Sequence, residues 1–264
     1  MKRVIVTLAM AASLVFAACA QKPTVDGVVN KMVQTLGGAD KLATIQDQVS
    51  TWDTKFVIPQ SDSMMMGAMT ITYKRPNKLK FEGADLNGNV GYISIFDGAS
   101  GWVYMVGMDG QGAWRDMMAE EVKETTTLAD TWADGWHNYA AKGLTLALLA
   151  DTTMDGKAYH RVQVTDKFGN VSMNYCDAQT GLVERTDAEM LDPASMQKAP
   201  AVMTFTEFAS HDGFMVAGKY IQRDATGMTM FEATLKEAKH NTGVADDAFA
   251  KPAMPMAMEN PSEQ

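Results

Sequence analysis

From Trp52 onward, apolar and polar residues alternate with a period of two. MTITYKR sets Met69, Ile71 and Tyr73 against Thr70, Thr72 and Lys74, and KLKFEG sets Leu79 and Phe81 against Lys78, Lys80 and Glu82. VGYISIF and GWVYMVG follow in the same manner. Between these runs lie Pro76-Asn77, Asn87-Gly88, Asp97-Gly98 and Asp109-Gly110, which are turn and hairpin signals. Alternation resumes in KAYHRVQVT, VSMNYC, LVERTDAE, AVMTFTEF, FMVAGKYIQ and MTMFEATLKEA, again separated by glycine-containing turns. The pattern predicts about eleven antiparallel strands at the spacing of an all-β sandwich or barrel.

Two regions break the period. After Pro23 and Thr24, residues Val25, Val28, Val29, Met32, Val33 and Leu36 form one apolar stripe at helical spacing, ended by Gly37-Gly38. ADKLATI continues as a second short helical turn. In residues 115–150, Trp132, Trp136 and Tyr139 share a helical face, which predicts two helices with a kink near Asp134-Gly135.

The first residues are of another kind. Lys2 and Arg3 precede an uncharged run of small and apolar residues, VIVTLAMAASLVFAA, the n-region and h-region of a secretory signal. The run is short of the roughly twenty residues a membrane-spanning helix needs. FAAC, ending at Cys19, resembles a bacterial lipobox with Phe16 in place of the usual branched aliphatic residue, and ACA also fits ordinary cleavage after Ala20. Residues 1–18 are thus expected to leave as a signal peptide, with Cys19 as the lipid-attachment residue. Ala20 in the next position resembles the signal for the outer membrane in bacteria with two membranes. Either cut leaves Cys176 without an intramolecular partner, so the domain depends on its core. The expected domain spans 19–250, and the Met- and Pro-rich tail 251–264 has no period and is expected to be disordered.

Charge narrows the partners. With 23 basic and 32 acidic residues the chain carries −9, the wrong sign for nucleic acid or anionic lipid headgroups and explained by solubility. The chain lacks HExxH, GxSxG, a P-loop and GxGxxG, and its four histidines are scattered. DLNGN begins like a calcium loop at Asp85, but Val90 and Phe96 stand where that loop needs glycine and glutamate. A hairpin turn explains it better. No catalytic residue, metal site or cofactor is expected, and Cys176 reads as an inert half-buried thiol.

An ordered series of segments resembles the LolA-like lipoprotein-sorting proteins, a family whose domain LolB and related periplasmic lipid carriers share. The series runs QTLGGADKLATIQ, YKRPNKLKFE, IFDGASGWVY, VQVTDKFGNVSMNYCDAQTGLVER, HDGFMVAGKY and HNTGVADDAFAKP. Gly218 in FMVAGKY departs from the proline that relatives often carry. The resemblance implies a mainly β, α+β fold: an open half-barrel of about eleven antiparallel strands with helices covering the concave face. It further implies a non-enzymatic protein that binds acyl chains of lipids or lipoproteins in an apolar cavity and faces the periplasm, tethered to the outer membrane or soluble.

Methionine, at 22 residues, suits such a cavity because its unbranched, polarizable side chain repacks around varied ligands. Candidate cavity residues are Met69, Ile71, Phe81, Tyr92, Trp102, Met105, Met203, Phe205, Met228 and Met230. Core packing has the same pattern. Two other readings stand beside this one: methionines as soft Cu(I) ligands, with Met254, Met256 and Met258 alternating in the tail, and a structural envelope lipoprotein without a ligand.

Overall fold

A computed structural model describes residues 22–57, 64–107, 110–191 and 197–253. The signal segment, Cys19 and the tail beyond Ala253 lie outside these residues. Sixteen strands are described: β1 (Asp47–Val57), β2 (Met64–Lys74), β3 (Lys78–Asp85), β4 (Val90–Phe96), β5 (Gly101–Val106), β6 (Gly112–Asp116), β7 (Thr145–Leu148) and β8 (Thr152–Met154). They continue with β9 (Lys157–Thr165), β10 (Val171–Asp177), β11 (Val183–Leu191), β12 (Lys198–Thr206), β13 (Ala209–His211), β14 (Phe214–Val216), β15 (Lys219–Asp224) and β16 (Thr229–His240). Fourteen of them form one antiparallel sheet, in the order β6-β5-β4-β3-β2-β1-β16-β15-β12-β11-β10-β9-β7, with β8 also on β9. The sheet is not closed into a barrel. The count exceeds the expected eleven partly because short strands, β7, β8 and the β13–β14 hairpin, sit in stretches with little alternation.

Three of the strand connections are hairpins built on one chemical device. DLNGN, DKFGN and DATGM each start with an aspartate whose main-chain N–H and C=O bond residues four and three further on. The carboxylates of Asp85, Asp166 and Asp224 then accept from the amides two and four residues on, at 2.8–3.0 Å. Glycine fills the fourth position with φ of +86°, +86° and +88°, a conformation that L side chains rarely adopt. The DLNGN segment is therefore a hairpin.

Helix α1 (Val25–Leu36) starts at Thr24, whose Oγ1 accepts the Gly27 N–H at 3.0 Å, and ends at Gly37. Its buried face, Val28, Val29, Met32 and Val33, packs with Leu42 of α2 (Ala39–Leu42) and with Trp52, Ile71, Tyr73, Leu79 and Val162 of the sheet. Thr35 Oγ1 donates to the Thr180 carbonyl at 2.6 Å, and a Cβ on Gly181 would come within 2.6 Å of Met32 N. This tight approach seats α1 against the β10–β11 turn. Helix α3 (Ala119–Thr131) crosses the same face.

The second helix expected after α3 does not form. Residues 132–143 run through turns, with Gly135, Asn138 and Gly143 at positive φ. Trp136 is nevertheless buried and Trp132 packs against the main core, so the aromatic spacing marks burial rather than a helix. Gly218 also finds its reason: its N–H donates to the Thr206 and Glu207 carbonyls, and a Cβ would meet Glu207 O at 2.5 Å. A proline would lose both bonds.

After β16 the chain crosses the other face. The 3-10 helix Asp246–Phe249 inserts Phe249, 1% exposed, against Ile95 and Trp102 in a second core. Asp47, 3% exposed, anchors this wrap. Its Oδ1 accepts from Thr242 N at 2.6 Å and Thr242 Oγ1 at 2.8 Å, and its Oδ2 from Gly243 N at 2.9 Å and Val244 N at 3.2 Å. Burial alone would raise the Asp47 pKa, but these bonds outweigh it and lower the pKa below the ordinary value.

Asp47→Asn should therefore cost about 2–3 kcal/mol at neutral pH by urea unfolding, because the amide presents donors to donors. A lowered folded pKa makes this stabilisation complete above the ordinary carboxylate range and lost as pH falls through the folded value, so variant and wild type should converge in acid. Phe249→Ala should cost about 3–5 kcal/mol by the same measurement, with the loss of fluorescence change at Trp102 as the local readout.

Candidate functional site

Cross-strand register sorts every strand residue onto one of two faces. Opposite Phe56 of β1 stand Met65 of β2 and Phe231 of β16, and opposite Trp52 stand Met69 and Leu235. Met69 faces Gly83, which faces Tyr92, which faces Met105. On the other wing, Phe231 faces Gln222, which faces Met203, and Ala233 faces Tyr220, which faces Phe205. The same face carries Ile71 and Phe81, and it is the one that α1 and α3 pack upon.

Seven of the expected cavity residues therefore lie together: Met69, Ile71, Phe81, Tyr92, Met105, Met203 and Phe205. Three do not. Trp102 pairs with Ile95 and points to the opposite face, 6% exposed beneath Phe249. Met230 shares its parity with Glu232, which is ion-paired to Lys55 and Lys219 at 3.5 and 3.2 Å on that opposite face. Met228 sits in the β15–β16 turn and is half exposed.

The helix-covered face also carries Phe56, Phe231 and Tyr220, which are not among the expected cavity residues. Phe56 and Phe231 stack with centroids 5.7 Å apart, Phe231 meets Tyr220 at 5.7 Å, and Tyr220 meets Phe205 at 5.4 Å. These four rings make a continuous aromatic row across β1, β16, β15 and β12. Burial pushes the Tyr220 phenol well above its ordinary pKa, and its hydroxyl donates to Gln222 Oε1 at 3.1 Å. On the same face Met65 stands opposite Phe56 on β2 and Met105 lies further out on β5, 49% and 45% exposed. The result is an apolar surface with methionine at its open margin.

Helix α3 is tied to both wings of the sheet. At its start Glu121 takes a two-pronged bond from Arg115 of β6 at 2.6 and 2.7 Å and caps the Met118 N–H at 2.8 Å. Further on, Glu124 accepts the Leu191 N–H of β11 at 3.2 Å, and Thr127 donates to Asp166 at 2.8 Å. Burial raises the Glu124 pKa, the Leu191 bond opposing it only in part. The buried Cys176 thiol is pushed up to about 12 by burial and faces the core, where it has no reactive character. Among the described residues no group of three His, Cys, Asp or Glu side chains could hold a metal ion, and Met254, Met256 and Met258 lie outside those residues. Among the described residues, too, no helix is long and apolar enough to cross a membrane.

No protein-family model matches the chain, and no curated protein matches it. Solved structures do. A DUF1329 family protein from Desulfovibrio piger superposes with a TM-score of 0.57 at 14% identity, covering 88% of this chain and 99% of that one. A LolA superfamily protein from Nitrosomonas europaea gives 0.58 at 12% identity, with 87% and 98% covered. A putative outer membrane lipoprotein-sorting protein domain from Vibrio parahaemolyticus gives 0.46 at 10%, with 84% and 97% covered. With the sheet order and the helix-covered face described above, the first two establish that this chain has a LolA-like fold.

Proposed function

We propose that this chain is a non-enzymatic envelope protein that binds the acyl chains of lipids or lipoproteins on its helix-covered face, for transport or sorting within the envelope. The single observation that carries the reading is the aromatic row of Phe56, Phe231, Tyr220 and Phe205, continued by Met69 and Met203 and ending in the exposed Met65 and Met105. Such a surface costs free energy while it meets water. An acyl chain laid on it gains about 0.8 kcal/mol for each methylene buried, and methionine accommodates chains of different shape. The outward-facing charges, among them the Lys55–Glu232–Lys219 group, keep the opposite face in water.

The N-terminal segment supports an exported protein, and Cys19 is the proposed point of acylation, with the domain facing the periplasm from the outer membrane. In that arrangement the partners are acyl chains or lipoproteins rather than nucleic acid, since the net charge of −9 has the wrong sign.

The test is mass spectrometry of an organic extract from the domain purified natively from a bacterial periplasm. A stoichiometric phospholipid, fatty acid or lipopeptide supports the reading. A clean extract, repeated after incubation with membrane vesicles, sinks it.

Strand parity supplies a sharper check. Met65→Glu and Met105→Glu place a charge on the open margin of the groove at half-exposed positions, and each should weaken binding of a fluorescent fatty acid about tenfold, the cost of desolvating a carboxylate being several kcal/mol when it is fully buried. Met66→Glu, equally exposed but of opposite parity, should leave binding unchanged. Helix α3 should respond to pH. Because burial raises the Glu124 pKa, the ionised group opposes folding above that pKa and ceases to do so as pH falls through it. Glu124→Gln should then raise Tm by a few degrees at pH 8, converge with wild type in mild acid, and slow probe uptake at pH 8.

A further inference from the structure

A separate cavity of about 460 Å³ opens between the C-terminal end of α3 and the β2–β3 turn. Its walls carry five charged side chains: Arg75, Lys142 and Lys167 against Asp130 and Asp134, with Tyr73 beneath them. The Lys142 ammonium donates to the Asp134 carboxylate and to the Gly135 carbonyl, the latter at 2.8 Å. Lys167 pairs with Asp130 at 2.7 Å, and Asp130 also accepts from Asn77 at 3.2 Å. The Tyr73 hydroxyl donates to the Pro76 carbonyl at 3.0 Å.

Arg75 is the group left over. Its Nε and Nη2 donate to the main-chain carbonyls of Ile45 and Leu42 at 2.6 and 3.0 Å, which fix the guanidinium plane without neutralising it. Among the described residues no carboxylate lies within ion-pair reach of Arg75, and Nη1 donates to none of them. The lining thus holds one positive charge in excess. A cluster whose only duty was to hold α3 in place would gain by cancelling its charges, because an unbalanced charge in a half-buried space loses hydration without return. Lys142 registers that imbalance: burial lowers its pKa against the pull of Asp134, and Arg75 pushes it further down.

We propose that this cavity is a binding site for a single phosphate-type oxyanion, taken up between Arg75, Lys142 and Lys167. A fixed guanidinium edge suits such an anion because its planar fork matches two oxygens at once, while the two ammonium groups supply adaptable point charges. The volume admits a phosphate monoester, free or as the headgroup of a lipid. Trp132 stands between Asp130 and Asp134 in the chain and packs edge-on against Phe81 with centroids 6.1 Å apart, so the stretch that lines the cavity also touches the apolar face. The site does not depend on acyl binding, since inorganic phosphate alone probes it.

The experiment is calorimetric titration of the full chain with inorganic phosphate, and separately with dihexanoyl phosphatidic acid, in a phosphate-free buffer of low ionic strength. Saturable binding at one site is expected. Lys167→Gln, at a half-exposed position, should weaken it about tenfold, and Asp130→Asn, which keeps an acceptor for Asn77 and removes a negative charge, should tighten it. That gain is a change no folding defect imitates. Tighter binding of phosphatidic acid than of phosphate, abolished by Lys167→Gln, identifies a headgroup as the source, and equal binding identifies a free phosphate ester. No saturable binding of either ligand up to tens of millimolar, or binding indifferent to both substitutions, overturns the proposal.

Discussion

The pairing of β1 with β16 is the contact on which the sheet depends. It joins Gln48 to His240 and Phe56 to Phe231, residues far apart in the chain, and it sits near the middle of the strand order. Without it the meander β1–β6 and the block running from β7 to β12 with β15 and β16 would be two sheets with raw edges. Local hairpins cannot supply this contact, since loop closure must come before it is rewarded. The Asp47 carboxylate, buried at the mouth of the pair, therefore matters beyond its four hydrogen bonds: it fixes where β16 stops and sends residues 242–249 across the outer face.

That crossing explains why both faces of one sheet contain apolar side chains. The outer face is ionic over β1, β15 and β16, where Lys55, Glu232 and Lys219 meet, and builds a core of its own where Ile95 and Trp102 receive Phe249. The inner face carries the aromatic row and the main core, with Ser50, Thr54, Ser94 and Asn174 buried among them, α1 filling one end and α3 laid across it. Charge on one side and aromatic carbon on the other sets the sheet as a wall between water and an apolar space. A wall of that kind is what a hydrophobic ligand needs, and it follows from side-chain parity alone.

Parity was also the limit of what the sequence disclosed. Strand existence, hairpin chemistry and the stripe of α1 were legible, because period, Asp-x-x-Gly and Thr24 are local signals. Face was legible where charge marked it: Met230 alternates with Glu232 while Phe231 alternates with Ala233 and Leu235, so Met230 belonged outside. In GWVYMVG no charge marks either face, and only the distant Phe249 decides that Trp102 lies outward and Val103 inward. The aromatic row likewise depends on register across four strands, two of whose pairings are shifted by bulges in β16, which no local pattern reports. The charged cavity gathers Arg75, Lys142 and Lys167 from three separated turns, each unremarkable in its own segment.

Helix α3 brings these features together through the kind of contacts that hold it. Over its first turns it is fastened chiefly by polar bonds: Arg115 to Glu121 on one wing, Leu191 to Glu124 and Asp166 to Thr127 on the other. Exposed ion pairs contribute at most about 1 kcal/mol each, whereas one buried methylene already matches that. A ligand of ten or so methylenes could thus displace this end of α3 without disturbing the sheet, while Ala129, fully buried, and Trp132 keep the other end in the core. The strap is thus held by polar bonds over its first turns and by core packing at its end, beside the charged cavity. An amphiphile entering from the open margin would meet methionine first and fixed aromatic rings next, which is the order in which adaptable capture should precede firm packing.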